Sequence, residues 1–143
     1  VIGDYDRPKT RLPGGGGAPE IASFSQKVFV TMKQSRRGMV DKIDFFTSFG
    51  HGEGGDHRRR MGLSTAGPAA LITDLAVWKP DEESGELTVT SLHPGVSRDM
   101  VRDSCGWPVA FAEKVGETAP PTEVELDVLR GLKARTAAAH AAG

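Results

Sequence analysis

Apolar positions in this chain come in short blocks set off by glycine, proline and charge. Lys27-Val-Phe-Val-Thr-Met32 is rich in β-branched and aromatic residues, which predicts a short strand. Val40 to Ser48 (VDKIDFFTS) predicts a second, with Ile43, Phe45 and Phe46 as its buried part. Ala69 to Lys79 (AALITDLAVWK) is a nearly continuous apolar run interrupted at Thr73-Asp74, as expected of one strand covered on both faces. After the turn Pro80-Asp-Glu-Glu-Ser-Gly85, Glu86 to Leu92 alternates, with Leu87, Val89 and Ser91 on one face. These two runs form a predicted hairpin, and Pro108 to Ala112 a last short strand.

Helical signals lie between and after the strands. One or two turns run from Ala18 to Phe24, and Ser97 caps a short helix, Arg98 to Ser104, stopped by Gly106. Thr122-Glu-Val-Glu125 is a capping box opening the longest helix, Glu123 to Ala139, with Val124, Val128, Leu129 and Leu132 as its apolar stripe. The Ala-rich tail, Ala137 to Gly143, is expected to fray. Val1 to Pro13 is extended or looped, broken by Asp4, Asp6, Pro8 and Pro13.

Bulk numbers narrow the class. The 143 residues suffice for one domain with a core; 38% are hydrophobic and 26% charged, as in ordinary globular proteins. A formal net charge of −1 supplies no global basic field for nucleic acid or a membrane surface. No run reaches membrane-span length, and no signal-peptide pattern is present. A single cysteine, Cys105, excludes an internal disulfide, argues against a structural zinc site and fits a reducing, cytoplasmic compartment. The chain opens without Met, and Val1-Ile-Gly3 reads as the tail of a strand; the expectation is that the first half of a larger domain precedes it.

The stretch with most chemical promise is Arg11-Leu-Pro-Gly-Gly-Gly-Gly-Ala-Pro-Glu20. Gly14, Gly15, Gly16 and Gly17 lead through Ala18 into a helix start. Backbone without Cβ can take positive φ, come close to a ligand and aim free N–H groups at a phosphate or an oxyanion. A flexible turn is the alternative reading. A dinucleotide fingerprint fits poorly, because Met32 is followed by Lys33-Gln34 and not by an acidic residue.

Other candidates carry plainer alternatives. His51, Glu53, Asp56 and His57 crowd one glycine-rich loop, but their spacing matches neither HExxH nor a calcium loop, so no metal is expected. Arg36-Arg37 and Arg58-Arg59-Arg60 suit bidentate phosphate or carboxylate binding, or else a solvated basic face or subunit contact. Glu83-Ser84-Gly85 reads as an exposed turn. Asp74 reads as a strand end, Cys105 as a packing residue, and Trp78 and Trp107 as core or interface anchors.

Four segments taken together resemble a known family: VIGDYDRPKTRLPGGGGAPEIA, KQSRRGMVDKIDFFTSFGHGEGGDHRRRMGL, ITDLAVWKP and TSLHPGVSRDMVRDSCGW. They are similar to the β subunits of glutaconate-type CoA-transferases, over Val1 to about Ala139, and most of all to the branch that moves CoA from succinyl-CoA to 3-oxoadipate in aromatic catabolism. The resemblance implies an open α/β fold, a mostly parallel sheet flanked by helices. Residues 1–143 are then the C-terminal part of a single β-subunit domain. It implies coenzyme A as substrate rather than tightly bound cofactor, and a small dicarboxylic or 3-oxo acid as acceptor. It also implies a companion CoA-transferase α subunit that completes the active site in a heterodimer or heterotetramer. It places the nucleophilic glutamate in a Glu-Ser-Gly segment upstream of Val1; Glu83-Ser84-Gly85 matches in letters only, and no catalytic residue is assigned within the chain. Gly14 to Gly17 and Ala18 are the expected substrate or CoA contacts. A related acyl-CoA hydrolase, a glutaconate transferase and a non-catalytic CoA-binding domain are the alternatives.

Overall fold

The computed structural model describes residues 2–141. A two-stranded ribbon, β1 (Ile2–Gly3) and antiparallel β2 (Pro8–Thr10), precedes helix α1 (Ala18–Phe24). Strand β3 (Val28–Met32) then leads by a long crossover, containing the single turn α2 (His57–Arg60), into β4 (Pro68–Thr73) and β5 (Ala76–Pro80). Strand β6 (Leu87–Leu92), helix α3 (Arg98–Asp103), strand β7 (Ala110–Glu117) and helix α4 (Glu123–Ala141) complete the chain.

The five longer strands form one open sheet in the order β3-β4-β5-β6-β7. β3 pairs parallel with β4, and β6 parallel with β7; the two pairings between them are antiparallel. Connection length explains the mixture. Parallel neighbours need a crossover, which residues 33–67 and the α3 segment supply, whereas β4, β5 and β6 are joined by turns. The open α/β sheet expected from the sequence is therefore present, with α3 packed on one face.

That face holds the core. Leu71 lies opposite Trp78, Trp78 opposite Val89 and Val89 opposite Phe111, so one row of side chains crosses four strands. Met39, Val101 and Cys105 close over this row, and Trp107 tilts against Trp78 at 6.2 Å between ring centroids. Cys105 is thus the packing residue expected, and Trp78 a core anchor. Gly106 donates its N–H to the Met39 carbonyl at 2.8 Å, tying the end of α3 to the crossover.

Three expectations about strands need correction. The run Ala69 to Lys79 is not one strand but two, turned at Thr73–Ala76. The Thr73 hydroxyl oxygen accepts from Leu75 N (3.1 Å) and Ala76 N (2.9 Å), and the Asp74 carboxylate leaves the sheet to accept from Gln34 N at 2.7 Å. The two local Thr73 bonds and the long-range Asp74 bond together compete with the ladder and win. Val40 to Ser48 forms no strand. Asp41, Lys42 and Asp44 interrupt it, Ile43, Phe45 and Phe46 are exposed, Asp44 accepts from Gly3 N at 2.7 Å, and Phe45 stacks on Tyr5 at 5.1 Å. The last strand runs Ala110–Glu117, longer than Pro108 to Ala112, because it follows β6 in parallel register as far as Glu117.

The caps are as the sequence indicates. Ser97 Oγ accepts from Met100 N, and the Thr122 and Glu125 side chains satisfy each other's backbone N–H at the start of α4. These bonds to Thr122 hold the Glu125 carboxyl below the usual carboxylate range. The α4 stripe, however, is not buried: Val124, Val128, Leu129 and Leu132 are all exposed. The helix runs through Ala141, two residues past the expected Ala139; residues 142–143, the end of the tail expected to fray, and Val1 lie outside the described residues.

Candidate functional site

The glycine stretch stands exposed between β2 and α1. Gly16 has φ +56°, a conformation L side chains rarely adopt, and Gly17 is the N-cap of α1, with Pro in the first turn. The Gly15 carbonyl accepts from Ala18 N at 3.1 Å, and the Gly17 carbonyl from Ile21 N at 3.0 Å. Ala18's N–H is therefore spent on the turn. The N–H groups of Gly16 and Gly17 carry no acceptor among the described residues. Gly15 is the packed member: a Cβ there would lie 3.2 Å from Thr47 Oγ1 and 3.3 Å from Pro19, so the loop rests on the 40–48 segment.

The loop from Phe49 to Gly67 lies alongside. Its histidines are engaged with backbone and not grouped for a metal. His51 Nε2 donates to the Pro68 carbonyl at 2.8 Å, and His57 Nδ1 accepts from Glu53 N at 2.8 Å. The Glu53 carboxylate also sits 3.7 Å from His57 Nδ1. Among the described residues no three His, Cys, Asp or Glu side chains gather as a metal site. Asp56 pairs with Arg60 at 2.9 Å, which lowers its carboxyl pKa; both are exposed.

The three adjacent arginines have separate fates. Arg59 and Arg60 face solvent. Arg58 is 7% exposed and turns inward. Its Nε donates to the Thr65 carbonyl (3.1 Å), Nη1 to the carbonyls of Gly50 (2.7 Å) and Phe49 (3.2 Å), and Nη2 to Ala22 O (3.2 Å), Ser23 O (3.3 Å) and Thr65 Oγ1 (2.9 Å). With its donors committed to main-chain carbonyls and Thr65, it is no anion receptor, and burial pulls its pKa down. Arg36 likewise donates to the Asp103 carbonyl at 2.8 Å.

Glu83-Ser84-Gly85 is the exposed turn expected. Asp81 Oδ1 accepts from Ser84 N (2.9 Å), Ser84 Oγ (2.8 Å) and Glu83 N (3.2 Å), and these bonds hold its carboxyl below the usual range. The turn buttresses the histidine loop, since Gly55 N donates to the Glu83 carbonyl at 3.1 Å. Gly54 is buried there at φ +80°, and a Cβ would overlap the Ser84 carbonyl. Gly54→Ala is therefore expected to cost about 1–3 kcal/mol through backbone strain and displaced turn. A chemical-denaturation midpoint unchanged from the parent protein would contradict that contact.

An apolar cleft of about 420 Å³ opens beside this loop, lined among others by Val30, Met39, Ile43, His51, Leu87 and Trp107. Sequence reasoning missed two residues that build the region. Gln34 is buried; its Nε2 donates to Val101 O (3.1 Å) and Ser104 Oγ (3.0 Å), and its Oε1 accepts from Thr73. Arg58 stands out in the sequence only as one of a basic run. Neither role has a local signature, because the partners lie up to 70 positions away for Gln34 and 36 for Arg58.

Comparison with known proteins places these features in context. Residues 1–104 match the family described as Coenzyme A transferase. The chain is 61% identical over 140 residues to the B subunit of 3-oxoadipate CoA-transferase from Pseudomonas knackmussii, covering 98% of this chain and 54% of the relative. It is 35% identical over 127 residues to the B subunit of glutaconate CoA-transferase from Acidaminococcus fermentans, covering 87% and 47%. The crystal structure of glutaconate coenzyme A-transferase from the same organism superposes with a TM-score of 0.80 at 32% identity, over 90% of this chain and 49% of that one. The chain thus spans about half the length of the relatives it matches.

Proposed function

This chain belongs to the coenzyme A transferase family, and we propose that it is the C-terminal part of a β subunit that moves CoA from succinyl-CoA to 3-oxoadipate together with a companion α subunit. The observation that carries this reading is the glycine turn. A positive-φ glycine and a helix N-cap leave two adjacent N–H groups free on an exposed loop braced by Thr47 and Pro19. The 61% identity to a relative named for 3-oxoadipate supports that acceptor.

The chemistry proposed is a relay of acyl transfers. A glutamate carboxylate outside these residues attacks the thioester carbonyl of succinyl-CoA, and the C–S bond breaks to give an acyl-glutamyl anhydride and CoA thiolate. The thiolate attacks the glutamyl carbonyl, releasing succinate and leaving a glutamyl-CoA thioester. The 3-oxoadipate carboxylate then attacks that thioester. It forms a second anhydride and frees the thiolate, which takes the oxoadipyl group and restores the glutamate. Splitting one exchange into covalent steps lowers each barrier. Every step passes through a tetrahedral oxyanion, and the Gly16 and Gly17 N–H groups are the donors offered to it. The CoA is a substrate throughout. Among the described residues no helix is long and apolar enough to cross a membrane, which is compatible with soluble substrates.

Trapping tests the relay. The assembled enzyme carrying this chain, incubated with succinyl-CoA alone and then treated with borohydride, is expected to yield one reduced glutamate by peptide mass. Prior addition of 3-oxoadipate should discharge the thioester and abolish the label. Hydrolysis of succinyl-CoA without trapping would overturn the transferase in favour of a hydrolase. A glutamate labelled within residues 1–143 would overturn its placement outside them.

A further inference from the structure

Helix α1 has seven residues, too short to persist without tertiary support. Its side chains supply little: Ala22 is its one buried residue, while Ile21 and Phe24 are exposed. Its backbone is what is held. The carbonyls of Ala22 and Ser23 belong to the last turn, where no intrahelical N–H reaches them. Both accept from Arg58 Nη2, and Ser23 O also accepts from Thr65 Oγ1 at 2.6 Å. A cation at this end also complements the helix dipole. The same guanidinium binds the carbonyls of Phe49, Gly50 and Thr65, so one side chain joins the end of α1 to both ends of the neighbouring loop. Gly67 makes the room: a Cβ there would lie 2.9 Å from Arg58 Cζ.

We infer that Arg58 is a positioning residue for the glycine turn, acting through α1 from the end opposite to Gly16 and Gly17. The helix is the lever: its C-terminal carbonyls are clamped by Arg58, and its N-terminal turn carries the two free N–H groups. The inference rests on the proposed role of that turn in CoA transfer. Arg58 itself touches no substrate; its donors are consumed within the protein. Loss of the clamp leaves α1 held only by Ala22 and the Thr65 hydroxyl bond to Ser23 O, and lets the turn drift. A drift of about 1 Å in a transition-state contact is enough to cost on the order of 100-fold in rate.

The test uses the assembled enzyme with Arg58→Ala, Arg58→Lys and the milder Thr65→Val. For Arg58→Ala, kcat is expected to fall about 100-fold while KM for succinyl-CoA changes less than about threefold, since only transition-state contacts are displaced. Guanidinium in the assay should restore kcat in Arg58→Ala and not in the parent enzyme. Hydrogen exchange should quicken at residues 20–25 and stay unchanged in β4–β6. Thr65→Val should quicken the same amides with a smaller loss of kcat, and Arg58→Lys should fall between. Unchanged kcat with unchanged exchange at 20–25 would overturn the inference. So would exchange rising equally across β4–β6 without guanidinium rescue, in both Arg58→Ala and Thr65→Val, which is a general folding defect. A parent enzyme with no CoA transfer would overturn the functional reading instead. The exchange at 20–25 would still decide whether the clamp holds α1.

Discussion

Gly16→Val is expected to lower kcat of the assembled enzyme about 100- to 1000-fold, the loss typical of removing one oxyanion donor. The cause is conformational. Gly16 sits at φ +56°, and beyond its chain neighbours no atom lies within 4 Å of where a Cβ would stand, so a Cβ there has open space. Its β-branched side chain instead drives the backbone toward negative φ, which rotates the peptide joining Gly16 to Gly17 and turns the Gly17 N–H away. Because the turn is exposed, the strain of about 1–3 kcal/mol can be released locally, and the melting temperature should stay near that of the parent. Gly14→Ala is the comparison: it too has open space but no positive φ, so the backbone keeps its course and kcat should fall far less than in Gly16→Val. Equal activity in the Gly16→Val and parent enzymes would remove the turn from the mechanism. Equal losses in Gly16→Val and Gly14→Ala would point to crowding of the loop rather than to a lost donor.

Trp78→Ala should be the most destabilising single change in the core. Trp78 is fully buried at the centre of the side-chain row that runs from Leu71 to Phe111, against Trp107. Removing so large a side chain costs about 3–5 kcal/mol through lost transfer energy and the cavity left behind. That is a large share of the roughly 5–15 kcal/mol that holds a typical domain together, so soluble yield and melting temperature should both drop sharply. Trp78→Phe should be much milder, and for a specific reason. Trp78 Nε1 is buried without a hydrogen-bond partner among the described residues, so phenylalanine removes an unsatisfied donor along with part of the ring. A Trp78→Phe protein as unstable as Trp78→Ala would show that this nitrogen has a partner in the assembled enzyme.

The local signals were legible because their causes are local. The Ser97 and Thr122–Glu125 caps and the limits of α1 each depend on residues within a few positions, and each stands where the pattern puts it; the alternation of β6 does not, because a register shift between Val89 and Ser91 brings Leu92 onto the same core as Leu87 and Val89. The Glu83-Ser84-Gly85 turn was legible for the same reason, since Asp81 organises it from two and three residues away. The failures share the opposite cause. An apolar run states that side chains prefer burial; it does not state against what. Val40 to Ser48 has the composition of a strand but no neighbouring strand to pair with, and the α4 stripe has the spacing of a buried face but lies exposed. The division of Ala69 to Lys79 into β4 and β5 combines the local Thr73 bonds with a distant one, since the Gln34 N–H, forty positions away, holds the Asp74 carboxylate out of the sheet.

The candidate site divides in the same way. The family follows from the residues alone, through segments distributed over most of the chain. So does the glycine turn with the helix it caps, because four glycines before Ala-Pro-Glu permit few other arrangements. It took the folded chain to settle that Gly16 takes the positive φ, that Ala18 spends its N–H on the turn, and that of three adjacent arginines Arg58 alone is turned inward to bind carbonyls. The physical reason is that backbone preference is written in the residue and its immediate neighbours. The use of a charged side chain is set by which unpaired carbonyls the fold brings within about 3 Å of it.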